Sequence, residues 1–355
     1  MTQAAVLAQS ASVNLTSRNR IINGAMMIDQ RNAGASVALN PTYWTLDRWQ
    51  GYASQASKAT IQQNSGSVTP PNGFSNYLGF NSLSSHSLTS TDIFTVRHLI
   101  EGYNVADLNW GTANAKTITL SFWARSSLTG TFAGGLTNNG QTRSYGFTYT
   151  ISSANTWEYK TITIPGDTVG TWGTTNNRGI DLFWSMGMGS TYTAPSNGSW
   201  LAGQYYSGTG GTSVVGTSGA TFYITGVQLE EGSVATPFEY RSYGQELALC
   251  QRYYENNYPT GTAVGTALGD STAYGLCYRS GTATPYFGVT MQQRKRATPT
   301  FTAYNGVTGA TGTWRGSGGS NEATTVTGNE VSLVAVTSAA DSLIRSAFYT
   351  ADAEL

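Results

Sequence analysis

Several stretches of this chain alternate apolar and polar residues with a period of two, and a chain built on that period must bury sheets rather than helices. In Thr117 to Arg125, Ile118, Leu120, Phe122 and Ala124 alternate with Thr119, Ser121 and Trp123, which puts an apolar row on one pleat face. Tyr145, Phe147, Tyr149 and Ile151 repeat the pattern, as do Ile180, Leu182, Trp184 and Met186. In Phe222 to Leu229 the row starts on Phe222 and Ile224, then changes parity to Val227 and Leu229 across Gly226, as a β-bulge at glycine would. Turn-forming clusters separate the runs, among them Thr137-Asn138-Asn139-Gly140 and Pro165-Gly166-Asp167. Many short strands joined by such turns predict an all-β fold, a jelly-roll β-sandwich.

One segment departs from this period. Gln245 to Glu255 has neither Gly nor Pro, and Leu247, Cys250, Tyr253 and Tyr254 fall near helical spacing, so a short amphipathic helix is expected there. It marks the start of a smaller C-terminal β-sandwich, with strands read at Tyr286 to Met291, Val331 to Val336 and Leu343 to Tyr349. Length points the same way, since 355 residues exceed the roughly 250 to 300 that one hydrophobic core organises. The expected division is an N-terminal arm at 1–17, a jelly roll at 18–243 and the second sandwich at 244–355. Gly208 to Gly219, nearly all Gly, Ser and Thr apart from Val214 and Val215, reads as a long flexible loop within the first unit.

Composition narrows the function. Aromatic residues at 12% and hydrophobic residues at 39% supply the apolar area that disordered chains lack. Charged residues are only 11%, so Ser, Thr, Asn, Gln and Gly must cover a surface better suited to permanent assembly than to free diffusion. Lys plus Arg and Asp plus Glu number 19 each, which gives no reach toward nucleic acid or an anionic membrane. The basic run Arg294-Lys295-Arg296 reads as a solvated strand end. No stretch approaches a membrane span or a secretory signal, so the sequons at Asn14 and Asn197 carry no weight. Cys250 and Cys277 are expected as buried free thiols.

Catalytic constellations are hard to assemble from these residues. The two histidines, His86 in a Ser-rich loop and His98 beside Leu99 and Ile100, read as structural. No nucleophile elbow is present, and Gly208-Thr209-Gly210-Gly211 lacks the lysine of a phosphate loop. Glu230 and Glu231 are neighbours at a strand end and point to opposite faces, which fits capping rather than acid/base work. Asp47-Arg48, between Trp44 and Trp49, reads as an ion pair at the edge of the core. The expectation is therefore no catalytic residue, no metal site, no cofactor and no enzymatic activity. Tyr192, Trp200, Tyr205 and Tyr206 lie in a turn-rich region without strand alternation. They are the candidate glycan-binding residues, their flat rings suiting sugar faces, unless they pack beneath a loop or against another subunit.

Asn19 to Asn32 with Tyr43 to Trp49, Thr225 to Gly232 leading to Ala235-Thr236-Pro237-Phe238-Glu239, Glu246 to Tyr254, and the ending Phe348 to Leu355 resemble tailed-bacteriophage fibre and tail proteins. The resemblance spans about residue 18 to the end. It implies a virion protein, commonly trimeric, whose large domain is similar to carbohydrate-binding modules. Such modules often carry an acidic residue before the closing-strand valine, where this chain has Gly226. The expected protein is a tail fibre assembled in the bacterial cytoplasm, with residues 1–17 docked on another virion protein and a host surface glycan as ligand. A head fibre or capsid decoration protein is the structural alternative, and a polysaccharide depolymerase the enzymatic one.

Overall fold

The computed structural model describes residues 18–269, 275–276, 286–316, 319–337 and 343–355; the expected arm at 1–17 and Cys277 lie outside them. Among the described residues two antiparallel sheets form the first unit. One has the order β1 (Val37–Ala38), β4 (Ala59–Gln63), β5 (Leu78–Ser82), β13 (Thr221–Glu231), β7 (Ile118–Ser126), β10 (Glu158–Ile164). The other runs β12 (Trp200–Ala202), β9 (Arg143–Ile151), β8 (Gly130–Asn138), β11 (Arg178–Met188), β6 (Ile93–Glu101), β3 (Trp49–Ala53), β2 (Thr42–Trp44). The chain changes sheet after β1, β3, β5, β6, β7, β9, β10 and β12, and that repeated crossing makes the sandwich a jelly roll.

The apolar rows read from the sequence are the inner faces. Ile118, Leu120, Phe122 and Ala124 are fully buried, as are Leu182, Trp184 and Met186. The Phe122 ring meets Tyr149 at 5.1 Å and Trp184 at 5.7 Å, both edge-on, the arrangement aromatic quadrupoles favour. The bulge is where parity predicted it. Pairing of β13 with β7 slips between Thr225 and Gln228, Gly226 has φ +60°, and a Cβ there would lie 2.6 Å from the Phe74 ring. The bulge turns Val227 toward the N-terminal segment, so that its N–H donates to Gly24 (2.9 Å) and its carbonyl accepts from Asn19 Nδ2 (3.0 Å).

The glycine-rich stretch 208–219 is not the flexible loop expected. Val214 and Val215 are buried in the core, and Gly208, Thr212 and Val215 donate backbone hydrogen bonds to Gly134, Thr131 and Met186. Two apolar side chains among small residues sufficed to pin it.

The helix α1 is Tyr243–Gln251 rather than Gln245 to Glu255. Ser242 and Gln245 form a reciprocal capping box that starts it earlier. It stops at Gln251 because Tyr254–Asn256 leave as strand β14, paired with β21 (Leu343–Asp352). The smaller second unit continues through β18 (Thr313–Gly316), β19 (Asn321–Gly328), β20 (Ser332–Thr337) and β16 (Tyr286–Thr290), while β15 (Gly275–Leu276) and β17 (Thr300–Asn305) also pair with β21. Its core is small: Trp314 is fully buried among Ala303, Ala335, Ile344 and Ala347.

Candidate functional site

The sequence stretches that carried the resemblance converge on the seam between the two units. Asn23 takes φ +60° so that its side chain can donate to the carbonyls of Ile28 (2.8 Å) and Asp47 (2.9 Å) while its Oδ1 accepts from Ile28 N–H. Trp49 Nε1 donates to the Asn23 carbonyl at 3.0 Å. These bonds fold residues 19–32 into a wedge held against the jelly roll. Its other side meets the second unit, where Gln30 bonds Asp47 and the Tyr254 carbonyl, and Asn256 Nδ2 donates to the Gln30 carbonyl (2.7 Å).

Buried charge fills the seam. Arg48 pairs with Glu354, donates to the Leu99 carbonyl and lies 3.6 Å over the Tyr253 ring. Arg31 repeats the arrangement one residue along: it lies 3.6 Å over Tyr254 and pairs with Asp352 (2.9 Å) and Glu354 (3.3 Å). Arg252 grips Glu101 with two bonds of 2.6 and 2.9 Å, and Tyr253 donates to the same carboxylate. Asp47 and Arg48 are thus not paired with each other, contrary to expectation, because successive residues point to different partners. Burial pushes the Asp47 carboxyl up to about 6 against the opposing field of Arg31, and pushes the His98 imidazole well below its usual range.

The basic run is not solvated either. Lys295 is fully buried, bonded to Glu255 (2.6 Å) and to the carbonyls of Gln251 and Gln293. Arg296 ties the Asn176 carbonyl of the jelly roll to the carbonyls of Ala353 and Glu354. Only Arg294 of the three is exposed.

Beside this seam lies a cleft of about 780 Å³. Its floor is two adjacent strands, β17 and β21, whose paired residues Thr302 and Thr350, then Thr300 and Asp352, line it together. Among the described residues the hydroxyls of Thr300, Thr302 and Thr350 have no hydrogen-bond partner. Trp44, Arg31 and Asn32 form the jelly-roll wall, and Tyr304 is the accessible ring of the second unit, the Tyr254 ring behind it being buried under Arg31. Flat rings facing free hydroxyls and a partly accessible carboxylate can hold a polyhydroxylated ligand. The sequence showed this only as a Thr-x-Thr alternation, which reads as any solvated strand face.

The four rings chosen from sequence do not form one platform. Trp200 is half-buried on β12, its Nε1 donating to the Pro165 carbonyl (2.7 Å) and its ring 5.2 Å from Trp110, 5.3 Å from Trp172 and 5.1 Å from Tyr145. Tyr206 is buried on the outer side of the same sheet, 4.7 Å from Phe183 and stacked under Tyr192 at 5.3 Å. Tyr205 lies half-buried against Gly203. Packing beneath a loop accounts for Tyr192 and Tyr206, and an indole cluster for Trp200.

The remaining candidates are tied into structure. His86 Nε2 lies 2.9 Å from Asp92, and His98 Nε2 lies 3.0 Å from the Ile22 carbonyl. Glu230 is buried and accepts from Thr236 N–H and Oγ1, whereas Glu231 is exposed and pairs with Lys116, so the two carboxylates diverge. Cys250 is a buried free thiol whose pKa burial raises.

No protein-family model matches the sequence, and no curated protein matches it significantly. Several solved structures share a loose likeness of shape. The enzymatically active domain of tailspike protein 4 of bacteriophage CBA120 aligns at 14% identity and TM-score 0.33, over 60% of this chain and 21% of that one, about a fifth of its length. The module TmCBM61 in complex with beta-1,4-galactotriose aligns at 10% identity and TM-score 0.31, over 61% of this chain and 100% of that one. The family 11 carbohydrate-binding module of a Clostridium thermocellum cellulosomal cellulase aligns at 12% and TM-score 0.28, over 57% and 99%. The fold assignment rests on the strand order above.

Proposed function

We propose that the chain is a bacteriophage virion fibre protein, carried on the tail, that attaches to the host surface by holding a glycan in the cleft between its two β units, without turnover. The observation that carries this reading is the cleft itself, where aromatic rings face a floor of unpartnered threonine hydroxyls. Sugars are recognised by that combination of flat apolar faces and hydroxyl partners. The resemblance of residues 18–355 to fibre and tail proteins supports the virion assignment, and the charge-poor surface supports a permanent assembly. A trimer would present three clefts at once and turn weak contacts into avidity. In this reading residues 1–17 dock onto another virion protein.

The test is binding of purified full-length protein to host cells and to their extracted surface polysaccharide. Trp44→Ala is expected to weaken binding tenfold or more, with sedimentation unchanged. Host binding that is indifferent to both Trp44→Ala and Thr302→Val would remove the cleft from the mechanism. A decoration protein would bind no polysaccharide, and a depolymerase would release reducing ends from it. Sedimentation as a monomer at micromolar concentration would overturn the trimer.

A further inference from the structure

We infer that the cleft accepts neutral or cationic saccharides and rejects acidic ones; this rests on the glycan reading above and specifies its ligand. Among the described residues Arg31 is the one cation lining the cleft, and its charge already faces two carboxylates. Its guanidinium lies flat on Tyr254, one Nη bonds Asp352, the other bonds Glu354, and its Nε is buried with no partner. Recognition of a ligand carboxylate or phosphate needs an accessible fork of N–H donors, and here each Nη is already held by a carboxylate of the protein while the Nε is out of a ligand's reach.

The acidic side of the cleft is more open. Asp352 keeps 34% of its side chain accessible, against 12% for Arg31 and 4% for Glu354. Asp352 pairs across the strands with Thr300, next to the Thr302–Thr350 pair, so an entering ligand meets hydroxyls and a carboxylate on the floor. A sugar hydroxyl or ammonium can donate to that carboxylate. A ligand carboxylate about 5 Å from it is repelled; Arg31, paired with Asp352, offsets part of the repulsion, and about half of it at the effective dielectric near a protein surface still amounts to roughly a tenfold loss of affinity. The geometry therefore separates sugars by charge before linkage or ring stereochemistry matters.

The experiment is an array of immobilised neutral, amino and uronate oligosaccharides probed with the purified full-length protein. Titration then follows with the best neutral binder and its uronate counterpart of the same linkage. The expected result is that the bound glycans are neutral or amino sugars, with the uronate counterpart roughly tenfold weaker. Asp352→Asn should shrink that ratio severalfold while the protein stays folded. Thr302→Val, which leaves the charges alone, should weaken the neutral ligand roughly fivefold and keep the ratio. An acidic glycan among the tightest binders, or a ratio unmoved by Asp352→Asn, overturns the charge inference and leaves the glycan reading standing. An array with no bound glycan overturns the glycan reading, and the inference falls with it.

Discussion

The seam invites a direct test of what a buried ion pair contributes. Arg48 and Glu354 have side chains 1% and 4% exposed, so each has left water almost completely. Replacing Glu354 by Gln leaves the Arg48 charge buried without its paired carboxylate, beside the Leu99 carbonyl and the Tyr253 and Trp44 rings. Breaking a buried pair from one side costs about 3 to 5 kcal/mol. Because Arg48 keeps these contacts and Glu354 borders an open cleft, the cost falls at or just below the foot of that range, about 2 to 3 kcal/mol. Unfolding entropy of ~2 cal/mol/K per residue gives this chain roughly 0.7 kcal/mol/K, so a cooperative transition should drop by about 3 to 4 °C. The double variant Arg48→Met with Glu354→Leu removes both charges and fills the space with apolar groups. It should be more stable than either single variant, since the desolvation cost disappears with the pair. The assay is the double-mutant cycle by chemical denaturation. Additive losses, or a Glu354→Gln cost below about 0.5 kcal/mol, would refute the claim that desolvation dominates this site.

Gly226→Ala forces an alanine into φ +60° with its methyl against Phe74, so it should cost roughly 2 to 4 kcal/mol in denaturant titration. Burial pushes the Asp181 carboxyl up to about 6, against the fields of Arg178 and Arg97. The unfolded chain holds it near 3.9, so the contribution of Asp181 is full below about pH 4 and lost as pH rises through 6. Asp181→Asn should then flatten part of the decline in stability between pH 4 and 6, and an unchanged pH profile would count against it. Native protein carrying Cys277→Ser should leave Cys250 unreactive to an aromatic disulfide reagent until denaturant is added, and rapid native labelling would contradict its burial.

Local chemistry made the jelly roll readable, and distance in the chain hid the seam. The inner rows at Ile118 to Ala124 and Ile180 to Met186 could be seen because a pleat repeats every two residues, and Gly226 could be placed because a bulge must shift that parity. Nothing within ten residues of Arg48 marks Glu354 as its partner, and the sequence offers Asp47, the nearest acid, instead. Lys295 looked solvated because its acid, Glu255, lies on a strand forty positions earlier. Trp200 looked free because the rings around it, Trp110 and Trp172, sit in irregular segments whose burial no periodicity reports. The cleft was invisible for a related reason: its floor is alternating threonine, and only the approach of Trp44 and Arg31 from the other unit makes a site of it.

The wedge at residues 19–32 also sets how the molecule bears load. On one flank it is bonded to β13, through Arg20 N–H to the Leu229 carbonyl (2.8 Å) and the Asn19 and Gly24 contacts with Val227. On the other it is bonded to the second unit, through Arg31 to Asp352 and through Val264 N–H to the Arg31 carbonyl (3.2 Å). Tension entering at residue 18 therefore reaches both units at once instead of travelling along the covalent chain from the first to the second. A pull on the cleft from a bound surface would take the same route in reverse, from Asp352 through Arg31 into the wedge, which is also tied to helix α1 through Asn23 and Glu246.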